Sequence, residues 1–182
     1  TSTTFSQVIT IIDTQAPTWT TPVGDLDRTV ECDDLMALAD AQALAPTATD
    51  NCDMTLTPVK VPGAPVQGAP PCIQGETITN TWTVTDDCGN TSVVYTQIIT
   101  IVDTEAPTWV TMPGALDVTL DCGDAMGIAA AQAAEPVALD NCDPAINTKL
   151  VKNSGSFVAD MLCPQAGTYT HTWTVTDDCG NT

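Results

Sequence analysis

The chain has 182 residues, of which 23 are acidic and only four are basic, so its formal net charge is −19. This charge excludes nucleic acids and anionic membranes as natural partners, because basic side chains are what neutralise phosphate groups. The sequence contains no run of about 18 apolar residues, so we expect no membrane insertion. Cations are the partners that such an acidic chain favours.

The sequence contains one pattern of about 90 residues twice. Residues 11–19 recur as 101–109, and residues 81–91 recur as 172–182. Self-similarity at a fixed period is typical of a tandem array. We therefore expect three parts: a closing strand of a preceding repeat, or donor strand, at 1–12; a complete repeat at 13–102; and a second repeat at 103–182 that lacks its closing strand.

Most of each repeat has strand character. Residues 77–85 alternate, which places Ile78, Asn80, Trp82 and Val84 on one face of a half-buried strand. The turn formers at 86–90 separate this strand from the next and predict a hairpin. The fold class predicted is all-β, with tandem immunoglobulin-like β-sandwich repeats. In the first repeat the strands are predicted at 27–31, 46–49, 55–61, 77–85 and 91–102.

One segment of each repeat breaks the strand pattern. Residues 33–44 and 124–134 are rich in Ala, Leu and Met, begin with Asp and are followed by proline. This composition predicts a short helix inserted between the first two strands, with Asp34 or Asp124 near its N-cap.

Three acidic motifs of each repeat are predicted to converge. In an immunoglobulin-like arrangement the opening motif, the loop after the second strand and the last hairpin lie at the same end of the sandwich. Calcium takes about six to eight oxygen ligands, which such a tip supplies. The alternative is that these residues are solvated turn formers. The candidate metal ligands are Asp13, Asp50, Asn51, Asp53, Asp86, Asp87 and Asn90 in the first repeat, and Asp103, Asp140, Asn141, Asp143, Asp177, Asp178 and Asn181 in the second.

Each repeat carries four cysteines at equivalent positions, with no Cys-x-x-Cys pair. This pattern indicates an exported, disulfide-bonded protein rather than a cytosolic metalloprotein. Two cysteines of each repeat lie in the acidic loops and two are expected at the other end, which favours pairing within each group. Sequential pairing of Cys32 with Cys52 stays open. The predicted bridges are Cys52–Cys88, Cys32–Cys72, Cys142–Cys179 and Cys122–Cys163.

Nothing in the sequence indicates an enzyme. The single histidine, His171, occupies the position of Asn80 in the other repeat, so a catalytic histidine would be missing from one copy. No free thiol nucleophile is expected, because every cysteine has an apparent partner. Asp86 and Asp87 are neighbours, and adjacent side chains on a strand point to opposite faces.

The motifs Thr-Asp-Asn-Cys-Asp, Trp-Thr-Val-Thr-Asp-Asp-Cys-Gly-Asn and Ile-Val-Asp-Thr-Glu-Ala-Pro, with the cysteine of the first strand, resemble those of hyalin-repeat-like (HYR-like), immunoglobulin-related modules. Such modules form arrays in giant secreted surface adhesins of Bacteroidota. The resemblance covers both repeats and implies a stalk or adhesive fibre at the cell surface. The Asp-Thr-Glu-Ala-Pro segment also resembles the linkers of cadherins, in which calcium stiffens domain junctions.

Two functions from different classes are consistent with these features. We expect a structural stalk segment of an extracellular adhesin-type protein, stiffened by disulfides and junction calcium. Its partners are neighbouring repeats of the same chain or fibre, with surface glycans or other cells as further partners. The alternative is a filament subunit whose donor strand, residues 3–12, completes a neighbouring molecule, or a carbohydrate-binding module that uses Trp19 and Trp109.

Overall fold

The computed structural model describes residues 3–70, 72–73 and 75–182. These residues form 13 β-strands, two α-helices and one 3-10 helix, which confirms the predicted all-β class. The chain divides into two compact units. The first comprises Thr1–Val30, Met36–Val66 and Thr77–Thr100, and the second comprises Glu31–Leu35, Gln67–Glu76 and Ile101–Thr182.

The five strands predicted for the first repeat and its helix each overlap an element of the structure, whereas the short strands Thr18–Trp19 and Val66–Gln67 were not predicted. The main sheet contains, in spatial order, β2 (Arg28–Glu31), β7 (Tyr95–Val102), β6 (Glu76–Thr83) and β4 (Val59–Val61), and β5 (Val66–Gln67) also pairs with β6. β4 runs antiparallel to β6, with Lys60 opposite Trp82. The elements are β1 Thr18–Trp19, β2 Arg28–Glu31, α1 Leu35–Ala43, β3 Ala48–Thr49, β4 Val59–Val61, β5 Val66–Gln67, β6 Glu76–Thr83 and β7 Tyr95–Val102.

The alternation predicted for β6 is confirmed. Ile78, Asn80, Trp82 and Val84 are all buried. In β7 the buried side chains are likewise every second one, those of Tyr95, Gln97, Ile99 and Ile101. Side chains point alternately to the two faces of a strand, so both strands present one face to the same core.

Aromatic rings fill the centre of this core. Trp82 and Trp19 both pack edge-on against Tyr95, with ring centroids 6.2 Å and 5.5 Å away. The indole N–H of Trp19 donates to the carbonyl of Val93 at 2.8 Å. Trp19 is therefore a packing residue, as an indole with its polar end satisfied by the backbone commonly is.

A buried polar network crosses the same core. The Gln97 side-chain amide donates to the carbonyls of Leu26, at 2.7 Å, and Ala41, at 3.0 Å. Asn80 donates to the Gln97 side-chain oxygen at 3.0 Å. Buried amides need such partners, because an unsatisfied polar group in the interior costs about 1–3 kcal/mol.

The second unit contains the remaining elements. β13 (His171–Val175) aligns in sequence with β6, but its only strand partner among the described residues is β10 (Leu150–Ser154). Its core joins Ala138, Ile146 and Val175, with Leu150 packed against them. The elements are β8 Thr108–Trp109, α2 Ala125–Ala133, β9 Ala138–Leu139, the 3-10 helix Ile146–Lys149, β10 Leu150–Ser154, β11 Val158–Ala159, β12 Gly167–Thr168 and β13 His171–Val175.

Both predicted helices are present. The Asp124 carboxylate caps α2 by accepting from the backbone N–H of Gly127 at 2.9 Å. This contact satisfies one of the donors that a helix N-terminus leaves free. Neither helix of the described residues has the length and apolar character that crossing a bilayer requires.

The described part of the segment predicted as a closing or donor strand pairs with no strand of the described residues. Residues 3–12 form no helix or strand and are exposed. Residues 1 and 2 of the predicted segment lie outside the described part of the chain. Phe5 and Ile11 expose 93% and 89% of their surface. The predicted repeat limits at 12 and 102 stay predictions.

Candidate metal centres and disulfide bridges

Three carboxylates meet in the second unit. Asp103 follows β7, Asp140 follows β9 and Asp177 follows β13, so each stands where a strand ends. Each offers one carboxylate oxygen, and these oxygens all lie within 4.8 Å of one another. Carboxylate oxygens converging in this way are the ligands that calcium prefers.

The surrounding loops occupy only some of these oxygens. One Asp140 oxygen accepts from the backbone N–H groups of Cys142 and Asp143, at 3.0 Å and 2.7 Å. Asp177 is held by Asn181, whose backbone and side-chain N–H groups donate to its two oxygens at 2.9 Å and 2.7 Å. The second oxygens of Asp103 and Asp140 are buried without a hydrogen-bond partner among the described residues.

No ion pair among the described residues neutralises the three carboxylates of this cluster. Asp103 is only 5% exposed. Desolvation, followed by the charges of Asp177 and Asp140, raises the pKa of its carboxyl from 3.8 to about 6. The nearby cation, Lys149, instead pairs with Asp143 and Asp178. A bound cation would remove both the repulsion and the unsatisfied oxygens.

The first unit repeats this arrangement. Asp13, Asp50 and Asp86 also bring one oxygen each within 4.8 Å of one another. One Asp50 oxygen accepts from the backbone N–H groups of Cys52 and Asp53, and the other is buried and unpartnered among the described residues. Asn90 donates to Asp86 at 2.8 Å.

The pKa of Asp86 differs from that of Asp103. Desolvation acts to raise the pKa of the Asp86 carboxyl, but hydrogen bonds from Asn90, Cys88 and Gly89 together hold it below its usual value. Gly89 makes this turn possible, because its backbone has a φ of +93°, which other residues rarely adopt. Gly180 does the same in the second repeat, at +95°.

The other predicted ligands lie outside the two clusters. Asp53 accepts from the backbone N–H groups of Thr55 and Asp87, at 2.8 Å and 3.2 Å, and so holds its loop. Asn90 and Asn181 donate to cluster carboxylates rather than offering an oxygen to them. Two further predicted ligands, Asp143 and Asp178, pair with Lys149. The remaining three are exposed: Asn51, Asp87 and Asn141.

Lys149 itself was missed by sequence analysis. No lysine stands at the corresponding positions of the first repeat, Pro58 and Val59, so comparing the repeats gave no signal for it. Desolvation is the largest single effect on the pKa of its ammonium and lowers it, but the hydrogen bonds and charges of Asp143 and Asp178 together raise the pKa above its usual value. Both of these predicted ligands are thus ion-paired with Lys149.

The structure pairs the cysteines differently from the prediction. Cys32 bonds to Cys142, and Cys72 bonds to Cys179, with Cα atoms 6.0 Å and 4.1 Å apart. The predicted bridges Cys32–Cys72 and Cys142–Cys179 are therefore corrected. The cysteines predicted to form Cys52–Cys88 and Cys122–Cys163 are exposed free thiols.

The physical reason for this correction is proximity. A disulfide requires Cα atoms within about 4–7 Å. Within the second unit, residues 31–35 and 67–76 of the first repeat lie beside loops of the second repeat. The repeated cysteine pattern suggests pairs inside one repeat, and no local feature of the sequence indicates a bridge between repeats.

A polar contact reinforces this part of the second unit. The Glu31 carboxylate accepts from the backbone N–H and the hydroxyl of Thr104, at 3.2 Å and 2.5 Å. The backbone N–H of the adjacent Cys32 donates to the carbonyl of Val102 at 2.9 Å. Hydrogen bonds thus fix the residues on both sides of Asp103, and a disulfide fixes Cys142, two residues after Asp140.

Comparison with known proteins identifies a family similarity for the first repeat. No curated protein matches the chain. HYR-like domains are typically extracellular repeat modules, and the two disulfides agree with an extracellular setting. The family match covers the four cysteines of the first repeat: residues 20–101 are similar to the HYR-like domain with 4 cysteines.

Proposed function

We propose that this chain is a non-enzymatic structural segment of an extracellular, adhesin-type tandem-repeat protein. Its repeats are immunoglobulin-like sandwiches tied to one another by disulfides and stiffened by calcium. The observation that carries the proposal is the pair of bridges Cys32–Cys142 and Cys72–Cys179, each of which joins the first repeat to the second.

Two covalent bridges suit a load-bearing stalk. A single bridge leaves an axis about which two segments rotate, whereas two bridges with different attachment points remove that freedom. Their sequence separations are 110 and 107 residues. Closing a loop of that size stabilises the folded state by about 4–5 kcal/mol in the chain-entropy account.

Calcium is proposed for both carboxylate clusters. One cluster consists of Asp13, Asp50 and Asp86, and the other of Asp103, Asp140 and Asp177. Support comes from Asp103, which is buried, has a raised pKa and keeps an unpartnered oxygen. A hard cation satisfies that oxygen and neutralises the repulsion, and backbone carbonyls or water complete its coordination shell.

Calorimetry tests the calcium proposal. We expect two calcium-binding events in isothermal titration of the oxidised protein, and a rise in its unfolding midpoint relative to chelator. At a calcium concentration about 100 times Kd, the linkage contribution is about 2.7 kcal/mol per site.

Two triple variants are each other's control in this experiment. Asp103→Asn with Asp140→Asn and Asp177→Asn removes one binding event, and the same change at Asp13, Asp50 and Asp86 removes the other. If both variants bind calcium as the unchanged protein does, the carboxylate clusters are not calcium sites. The proposed structural segment would then be stabilised by its disulfides without bound calcium.

A further inference from the structure

We propose that the disulfides Cys32–Cys142 and Cys72–Cys179 hold the ligands of the second carboxylate cluster in position, so that reducing these disulfides weakens calcium binding there. The second cluster consists of Asp103, Asp140 and Asp177. This inference rests on the calcium proposed above and adds its regulation. The thiol–disulfide state of the surroundings would set the calcium affinity of this one site.

The second cluster has features of a cation site besides its acidity. Asp103 is only 5% exposed, and its second oxygen is shielded from solvent without a hydrogen-bond partner among the described residues. A buried carboxylate oxygen of this kind is costly unless a cation or a donor reaches it. The three carboxylates come from three separate segments, so the placement of those segments decides how well they bind a cation.

The first bridge joins the Asp140 loop to the chain that carries Asp103. Cys142 follows Asp140 by two residues, and its backbone N–H donates to the Asp140 carboxylate at 3.0 Å. Its disulfide partner, Cys32, donates its own backbone N–H to the carbonyl of Val102 at 2.9 Å. One covalent bond and two hydrogen bonds therefore connect the first ligand loop to the residue just before Asp103.

The second bridge joins the turn at 177–181 to the same chain. Cys179 lies inside this turn, two residues after Asp177, and bonds to Cys72. The sulfur of Cys72 and the carbonyl of Ile101 both approach Gly75 closely. A Cβ atom built on Gly75 would lie 3.5 Å from that sulfur and 3.4 Å from that carbonyl oxygen. The turn is thus tied to the chain two residues before the third ligand.

The two bridges together fix two ligand loops to the segment that carries the third ligand. A cation that binds ligands already held in place does not have to order their loops. Without the bridges, only hydrogen bonds hold the loops, and the repulsion among three carboxylates favours their separation. We therefore expect reduction to weaken calcium binding at the second cluster roughly tenfold, a usual size for the coupling between two sites.

The coupling acts in both directions. If the oxidised protein binds calcium more tightly than the reduced protein, bound calcium must favour the oxidised bridges by the same factor. Dithiothreitol, a dithiol, reduces the bridges: it supplies two electrons and two protons to each disulfide, which becomes two thiols, and it is itself oxidised to a cyclic disulfide.

Isothermal titration with calcium chloride, before and after reduction by dithiothreitol, tests the inference. We expect two binding events in the oxidised protein, of which one weakens roughly tenfold on reduction and the other keeps its affinity. A triple variant assigns the sensitive event. Asp13→Asn with Asp50→Asn and Asp86→Asn should leave only the event that responds to reduction.

Two pairs of cysteine variants give a matched comparison. Cys142→Ser with Cys179→Ser removes both bridges but keeps the backbone N–H that donates to Asp140, and should weaken one binding event roughly tenfold. Cys52→Ser with Cys88→Ser is the control. These two free thiols also follow cluster carboxylates by two residues, but they form no bridge in this chain, so both affinities should be kept.

A second measurement uses the unchanged protein and does not depend on the folding of a cysteine variant. The bridges are equilibrated with mixtures of reduced and oxidised dithiothreitol, in calcium or in chelator, and their thiols are counted by mass tagging. Calcium should shift this equilibrium toward the disulfides roughly tenfold. The shift should persist in the triple variant that lacks the first cluster. It should vanish in Asp103→Asn with Asp140→Asn and Asp177→Asn.

The outcomes separate this inference from the proposed function. Two calcium-binding events with the same affinities in oxidised and reduced protein would overturn the inference and leave the calcium sites standing. A reduction equilibrium that calcium does not shift, or shifts equally without the second cluster, would overturn it as well. Failure of the oxidised protein to bind calcium at all would contradict the proposed calcium sites themselves, and this inference with them.

Discussion

Asp103 combines burial with a raised carboxyl pKa. It is buried beside two other carboxylates, and one of its oxygens has no hydrogen-bond partner among the described residues. Asp86, in the first repeat, belongs to an equivalent cluster but has a lowered pKa, because Asn90 and nearby backbone N–H groups stabilise its charge. The two units should therefore respond differently to pH.

The pH dependence of Asp103 has a defined sign. Its folded pKa of about 6 lies above the usual value of 3.8. Between these values the folded protein binds more protons than the unfolded chain, so the contribution of Asp103 to stability falls as the pH rises from about 4 to 6. In chelator, Asp103→Asn should remove this decline and raise the unfolding midpoint at pH 7.4.

A charge-matched control accompanies that measurement. Glu135→Gln removes one negative charge at an exposed position outside both clusters and should leave the decline in place. Thermal unfolding in chelator at several pH values is the readout. A decline in the Asp103→Asn variant equal to that of the unchanged protein would contradict the burial of a charged, repelled carboxylate.

At the scale of elements, local sequence patterns predicted the long strands of the first repeat and the helices of both repeats. The alternation at 77–85 is visible in the residues themselves, as is the capped, Ala-rich helix that begins after Asp124. Which carboxylates remain available to a metal was not visible. Asp53 and Asp143 have the same residue type as Asp50 and Asp140, but turn geometry and Lys149 engage them.

The β7 strand gives a prediction at this scale. Gln97→Leu leaves the buried carbonyls of Leu26 and Ala41 without their donor and deprives Asn80 of an acceptor. We expect a loss of about 3 kcal/mol in the free energy of unfolding, since each unsatisfied buried group costs about 1–3 kcal/mol. Denaturant unfolding measures it.

Gln7→Leu is the matched control for this substitution. Gln7 has the same residue type at the equivalent position of the exposed segment, so in dilute, reduced protein its substitution should change the free energy of unfolding little. Equal losses in the two variants would mean that the Gln97 network does not stabilise the core.

At the scale of the whole molecule, the cysteines show the limit of prediction from this sequence. The count of four per repeat correctly indicated disulfides but suggested closed repeats. Eight cysteines allow 105 connectivities, and no local pattern distinguishes bridges within a repeat from bridges between repeats. Which cysteines pair depends on the spatial proximity of residues more than 100 positions apart in sequence, as in Cys32–Cys142 and Cys72–Cys179.

A stalk tied between repeats differs mechanically from a string of separately closed domains. Tension on a closed domain is resisted by the fold of that domain and by a flexible linker. Tension across bridges such as Cys32–Cys142 and Cys72–Cys179 is carried by covalent bonds. The account of this chain as a structural segment therefore depends on where its disulfides run.

Mapping the disulfides of the oxidised protein shows whether the two repeats are joined to each other. The oxidised protein is alkylated, digested without reduction and analysed by tandem mass spectrometry, with a reduced digest as control. The account predicts peptides that link Cys32 to Cys142 and Cys72 to Cys179. Peptides linking Cys32 to Cys72 and Cys142 to Cys179 instead would show that each repeat closes on itself, and would contradict it.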